Sequence, residues 1–437
     1  MRGVSRVGIR YHRRMQQHRS KASVVRRPAL RAVSAAVAAV LLASPASAFG
    51  VKSPTDSVGG RTLRLAPALA SSAPDIDAAA GILVTSDGKI LWSRNADQRR
   101  AMASTTKIMT AMVVLERAKL SDVVTVPKEA ASVAQNAVNL IPGERLTVQQ
   151  LLETMLVASA NDAAYTLAVH VGGSIPKFAV LMNAKAAALG LKGTHYVNPH
   201  GLDAAGHHTS ASDLAALARY AMRNAEFRRI VGMPGVAVSD GPNGRQRVFE
   251  PTDLMLDYEG IEGIKTGMTN HAGYCFVSAA RRGDVELFGV ILGARSDQAR
   301  FVQSRRLLDW GFAHYRPCAV IQTGTRVGTV PVTDWLDRDI VAKVRDNASP
   351  VLFDLGGSIR RRYELKPSVS APVRKGQAVG VVIAYQGSTV LAKVPIVSAE
   401  DVAAPGLWER VRIWGVRAWR SVFGPSEVRT AVVTATQ

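Results

Sequence analysis

A chain of 437 residues is too long for one ordinary core and long enough for two or three domains. Apolar residues make up 47% and charged residues 20%, which excludes wholesale disorder, collagen and coiled coil, and two cysteines, Cys275 and Cys318, exclude a disulfide scaffold and a four-cysteine zinc site. The formal charge of +21 is uneven: residues 1–48 hold nine arginines and Lys21 with no acid, and the remaining basic residues are dispersed and carry no nucleic-acid motif, so nucleic acid is not an expected partner.

The first element is an address. Arg26, Arg27 and Arg31 precede an apolar run over 32–43, and Ala46-Ser47-Ala48 follows. A basic stretch, a short apolar core and an A-x-A site form a secretory signal over 1–48, with Met15 as an alternative start and Phe49 as the first mature residue. The run is short of the ~20 residues a bilayer span needs, so an uncleaved anchor is the lesser reading. The mature protein is then exported. Residues 49–75, rich in Ser, Pro, Gly and Ala, read as a linker.

A domain is expected over 76–316. Its β-prone runs 80–84 and 89–93 flank Ser86-Asp87-Gly88, a hairpin signal. Helical patterns follow over 105–120, 147–158, 162–171 and 212–224. After Glu259 the text becomes β, with runs at 260–267, 274–281 and 285–293, and residues 302–314 are helical again. Strands open the domain, helices fill it and antiparallel strands close it, which is an α+β sandwich. Short strands with Gly and Pro punctuation predict a separate small all-β domain over 317–400. Over 401–424 the set Leu407, Trp408, Val411, Trp414, Ala418, Trp419 and Val422 falls within an arc of about 140° at 100° per residue, opposite Glu409, Arg410, Arg417 and Arg420. That pattern suits a helix lying in a membrane interface, its arginines meeting anionic phosphates; a helix docked on its own domain is the alternative. Residues 425–437 read as a tail.

Three short motifs carry chemistry. Ser104-Thr105-Thr106-Lys107 puts a hydroxyl and an amine on one helix face. A serine needs a base to take its proton, and a lysine can be that base once apolar surroundings and a nearby cation lower its pKa. Ser159-Ala160-Asn161 falls between two helices, where a hydroxyl and an amide can project from a turn. Lys265-Thr266-Gly267 lies on an expected strand: the lysine can grip a carboxylate, the threonine can donate to it, and the glycine allows close approach. Each alone has a bland alternative: a helix cap with a solvated lysine, an N-cap, an edge-strand lysine. Together they occur in the order S-x-x-K, S-x-N, K-T-G, separated by 55 and 106 residues, on a helix start, a turn and a strand.

That ordered set resembles the β-lactamase and penicillin-binding superfamily. The longer stretches Ala103–Thr110, Asn198-Pro199-His200-Gly201-Leu202-Asp203, Gly263–Gly267, Ala272-Gly273-Tyr274-Cys275 and Trp310-Gly311-Phe312 are similar to low-molecular-mass D-alanyl-D-alanine carboxypeptidases, over roughly 76–424. Met102 and Ala160 depart from the family's usual Pro and Gly without removing a reactive group.

The resemblance implies removal of the terminal D-alanine from peptidoglycan stem pentapeptides through an acyl-serine, with β-lactams as covalent inhibitors and no metal or organic cofactor. In it Ser104 is the nucleophile and Lys107 the base. Ser159 passes protons and Asn161 orients Lys107 and the substrate amide. Lys265, Thr266 and Gly267 bind the substrate's end, backbone N–H groups of Ser104 and Met268 form the oxyanion hole, and Arg300 lies near the carboxylate. The β domain and amphipathic helix resemble the class with a membrane-anchored stalk, on the outer face of the cytoplasmic membrane. His200, His207 and His208 lack an H-E-x-x-H context and read as loop residues. Of Glu226, Glu250, Glu259 and Glu262, none has an asparagine four residues on, so the E-x-x-x-N signature of efficient β-lactam hydrolysis is missing. A D,D-endopeptidase acting on crosslinks and a catalytically silent wall-binding protein are the rival readings.

Overall fold

A computed structural model of the chain describes residues 59–63, 73–133, 135–239, 246–423 and 429–434. The expected leader, and most of the segment read as a linker, lie outside these residues.

The first core is built on a five-stranded antiparallel sheet in the order Ile90–Arg94, Ala80–Thr85, Val285–Ala294, Gly273–Arg282, Ile261–Thr269. Its central strands are buried on both faces, so their sequences are continuous apolar runs without alternation. One face is covered by the helix Asp297–Ala313, whose Leu307, Leu308 and Phe312 meet Leu83, Leu287 and Phe276. Against the other face pack the helices Lys107–Arg117, Val148–Val157, Asn161–Gly172 and Ala211–Ala221.

The expected helices are present with ends set by caps. Thr147 and Gln150 form a reciprocal capping box, and Ser210 accepts from the Asp213 amide. The last helix begins at Asp297, five residues before its apolar pattern, because Ser296 accepts from the Ala299 amide and caps a polar first turn. Two helices, Ile175–Ala188 and Ala225–Val231, were not expected. The first buries little beyond Phe178, Ala179, Met182 and Ala186, a stripe too narrow to stand out of an alanine-rich text.

The second core lies in a seven-stranded sheet ordered Gly59–Leu63, Ile359–Leu365, Ala378–Gln386, Thr389–Ser398, Asp339–Val344, Arg326–Pro331, Val432–Val433. Val327, Val330, Ile340, Val382 and Ile396 fill it. Both edges correct the sequence reading. Gly59–Leu63, inside the expected linker, pairs antiparallel with Ile359–Leu365, Gly59 opposite Tyr363. Val432–Val433, inside the expected tail, pairs with Gly328 and Thr329. A strand holding two glycines and a strand of two residues leave no period to read.

The helix Leu407–Phe423 is docked by its polar face. Arg417 donates to the Thr333 carbonyl, Arg420 pairs with Asp337 at 3.6 Å, and Ile413 is buried. The apolar arc points away from the domain: Trp408 is 83% and Trp414 74% exposed. Arg417 and Arg420, expected to face lipid phosphates, are instead tied to the protein. Behind the helix, Arg429 pairs with Asp339 at 3.0 Å and leads into the edge strand. Among the described residues no helix is long and apolar enough to cross a membrane.

Candidate active site

Ser104 lies in a single 3-10 turn, Ala103–Thr106, that runs straight into the helix beginning at Lys107. The turn is held by its own hydroxyls: Thr105 donates to the Met102 carbonyl at 2.7 Å and Thr106 to the Ala103 carbonyl at 2.8 Å. Ala103 has φ +47°, and the neighbouring loop packs so closely that a Cβ on Gly201 would stand 1.9 Å from Ala103 O. Only glycine fits there.

Lys107 is wholly buried beneath Ser104. Its Nζ lies 2.8 Å from Ser104 Oγ, 2.6 Å from Asn161 Oδ1 and 2.8 Å from the His200 carbonyl oxygen. Burial holds this amine well below the ordinary lysine range, and the Lys265 cation adds to the effect against the pull of Asp162. A neutral amine has two hydrogens and one lone pair. Asn161 Oδ1 and the His200 carbonyl can only accept, so they take the two hydrogens, and the lone pair faces the Ser104 hydroxyl. The protonated amine would donate to all three oxygens; it is the low pKa imposed by burial that favours the base form, with its lone pair on the Ser104 hydroxyl.

Ser159 occupies the turn between Val148–Val157 and Asn161–Gly172 with φ +61°, a left-handed conformation that costs a serine ~1–3 kcal/mol. Asn161 opens the next helix, and its Nδ2 donates to the Gln135 carbonyl at 2.8 Å. Asp162 was not singled out in the sequence. It is buried and accepts from the amides of Val138, Leu140 and Ala163, which pins the loop carrying Gln135 beside the site. His207 has a similar structural part: its Nδ1 accepts from the Val197 amide, leaving Nε2–H 2.9 Å from Thr106 Oγ1.

The strand Ile261–Thr269 forms the facing wall. A Cβ on Gly267 would stand 2.9 Å from the Ser104 amide nitrogen, so strand and serine turn are in backbone contact. Lys265 is buried, and burial followed by the Arg300 cation brings it down to about 7, against Asp253. Arg300, nearly buried, donates from Nη1 to the Gly267 carbonyl at 3.1 Å and pairs with Asp297. A cavity of about 510 Å³ opens between the walls, lined by Ser104, Ser159, Asn161, Thr266, Met268 and Arg300, and by Thr252. Thus the Ser104 hydroxyl and Lys107 amine, the Asn161 amide and the strand, separated by tens to hundreds of residues, meet in one cleft. The arrangement can deprotonate a hydroxyl beside a carboxylate grip, which is the equipment for acyl transfer. Two groups at the site carry no sequence signal: the His200 carbonyl, since every residue has one, and Thr252, which belongs to no motif. Both cysteines are free thiols, and burial pushes Cys275 up to about 11.

Residues 68–296 match the family model described as D-alanyl-D-alanine carboxypeptidase, and residues 315–404 match that of the penicillin-binding protein 5 C-terminal domain. The chain is 31% identical over 339 residues to D-alanyl-D-alanine carboxypeptidase DacF of Bacillus subtilis, an alignment covering 76% of this chain and 87% of that protein. It is 33% identical over 371 residues to DacC of Escherichia coli, covering 80% and 91%. The crystal structure of DacD from Francisella tularensis is similar with a TM-score of 0.57 at 25% identity, over 79% of this chain and 97% of that one.

Proposed function

The chain belongs to the D-alanyl-D-alanine carboxypeptidase family and is a serine-type hydrolase of the cell wall, and from that premise we propose that Ser104 is its nucleophile and Lys107 its general base. Ser104 Oγ bonds to the carbonyl carbon of the penultimate D-alanine in a stem pentapeptide while its proton passes to Lys107. The C–N bond then breaks. The leaving amine takes a proton relayed from Lys107 through Ser159, and free D-alanine departs. Water adds to the acyl-serine, giving its proton back to Lys107, and the shortened peptide leaves as Ser104 recovers its own. Backbone N–H groups of Ser104 and Met268 stabilise the oxyanion, an arrangement in which each donor is worth about 10²–10³ in rate. The terminal carboxylate is held at Lys265 and Thr266 on the strand whose Gly267 lies against the serine turn, Lys265 donating directly and Thr266 acting through the neighbouring hydroxyl to which it donates. With its amine near 7 in the empty site, Lys265 is drawn to the ammonium form when a carboxylate arrives.

The observation that carries this reading is the set of three contacts around Lys107, two to pure acceptors and one to the Ser104 hydroxyl. Peptide mapping after exposure to penicillin tests it. The adduct is expected on Ser104, absent in Ser104→Ala and slow to form in Lys107→Arg. An adduct on Ser159, or normal acylation of Lys107→Arg, refutes the assignment.

In the same reading residues 1–48 are an export signal, 76–316 the catalytic domain and 317–400 a β-rich stalk. The helix within 401–424 holds the protein on the outer face of the cytoplasmic membrane. The outward apolar arc with Trp408 and Trp414 supports membrane attachment, since so much apolar surface on a monomer marks an interaction site. Docking on the β domain and binding to the membrane use opposite faces of this helix, so the two readings are compatible.

A further inference from the structure

We propose that Thr252 is a substrate-binding residue, a donor to the terminal carboxylate beside Lys265 and Thr266; the inference rests on the reading of that wall as the carboxylate site. Thr252 belongs to no motif and lies 13 residues before Lys265 in the chain. Its place is nevertheless firmly set. Its amide donates to the Val157 carbonyl at 3.1 Å, at the end of the helix that leads to Ser159. It thus bridges the S-x-N turn and the K-T-G strand, and its half-buried side chain lines the cavity.

The hydrogen bonds around its hydroxyl run one way. Thr266 Oγ1 donates to Thr252 Oγ1 at 2.7 Å, and Lys265 Nζ donates to the same oxygen at 3.4 Å. A threonine hydroxyl has two lone pairs and one hydrogen. Both lone pairs are engaged, so the hydrogen is the free end of a relay, Thr266 to Thr252 to the cavity. Among the described residues it meets no acceptor. The hydrogen of Thr266, the motif's own hydroxyl, is already spent on Thr252. A carboxylate oxygen entering beside Lys265 supplies the missing acceptor, and the two incoming donors polarise the Thr252 O–H toward it. Buried Asp253 follows directly, and its Oδ1 accepts from the Met255 amide.

The test separates contact with the carboxylate from mere support of the strand. Steady-state constants are measured for a soluble peptide ending in D-Ala-D-Ala and for the same peptide with a C-terminal amide, in the full chain and in Thr252→Val, Thr252→Ser and Lys265→Ala. For Thr252→Val, kcat/KM on the free acid is expected to fall about tenfold to a hundredfold, mainly through KM, as for a lost hydrogen bond to a charged group. On the amide the variant and the parent should differ little, and Thr252→Ser, which keeps the hydroxyl, should act like the parent on both. Equal losses on acid and amide, or a KM unmoved on the acid, overturn the proposal. If Lys265→Ala raises KM on the acid and Thr252→Val does not, Thr252 alone is misassigned; if neither does, the carboxylate site itself is misplaced. Thermal unfolding checks each fold, and Thr252→Ala replaces the valine variant should that one be unstable.

Discussion

Replacing Gly267 by alanine probes the contact with the least room. The new Cβ would stand 2.9 Å from the Ser104 amide nitrogen, 3.0 Å from Ala103 Cβ and 3.2 Å from Met102 O. Non-bonded carbon contacts are comfortable near ~3.5 Å, so strand and serine turn must part by roughly half an ångström. Neither side has a flexible side chain to yield: the three atoms are backbone or Cβ, and Ala103 is already held at φ +47°. A catalytic constellation tolerates about 0.5 Å of error, and a misaligned oxyanion donor costs about 10²–10³. Acylation by a fluorescent penicillin should therefore slow about a hundredfold, and overpacking should lower stability by about 1–3 kcal/mol. The assay is the pseudo-first-order rate of labelling at several penicillin concentrations, with a thermal scan of the same sample. Gly415→Ala is the control, because a Cβ there meets nothing within 4 Å; it should label at the parent rate. If Gly267→Ala labels within about twofold of the parent with an unchanged melting temperature, the strand does not set the serine's position and the reasoning fails.

Three further outcomes are expected. The pH profile of kcat/KM on a free-acid peptide should be bell-shaped: it rises as Lys107, held low by burial and Lys265, loses its proton, and falls as Lys265 loses its own near 7. Lys265→Arg should abolish the falling limb and keep the rising one; a falling limb that survives would assign it elsewhere. Burial holds His207 down to about 4 from 6.5. The unfolded chain then binds the extra proton below pH ~6.5, so stability should drop as pH falls from there toward ~4, by roughly 3 kcal/mol from this residue. Urea midpoints against pH should show this, and His207→Gln should flatten the dependence; an unaltered slope would contradict it. Finally, Trp408→Ala with Trp414→Ala should reduce co-sedimentation with anionic phospholipid vesicles while leaving hydrolysis of soluble peptide intact; undiminished sedimentation would remove the helix's outward face as the attachment surface.

The apolar runs at 80–84, 274–281 and 285–293 were legible as strands because burial on both faces writes a continuous run into the text. The helix at 148–157 was legible because one stripe, Leu151, Leu152, Met155 and Leu156, packs into the core. The helix at 225–231 was not, since two turns repeat too few times to establish a period. The tail shows a different limit. Its amphipathic arc was readable, but which face docks was not, because periodicity records two unlike faces without saying what meets each.

The chemistry was written locally. S-x-x-K places hydroxyl and amine within one turn of the same backbone, and three or four residues of spacing are enough to determine that. What depends on long-range packing was left to the tertiary structure: the burial that lowers Lys107, the cavity between the serine turn and the strand, and the approach of Gly267 to the Ser104 amide. So were the parts with no distinctive side chain. The His200 carbonyl that takes a Lys107 hydrogen is a group every residue owns, and Thr252 is one ordinary threonine until the fold sets its oxygen 2.7 Å from Thr266. A sequence lists donors and acceptors, but their partners follow from distance and direction, which only the folded chain supplies.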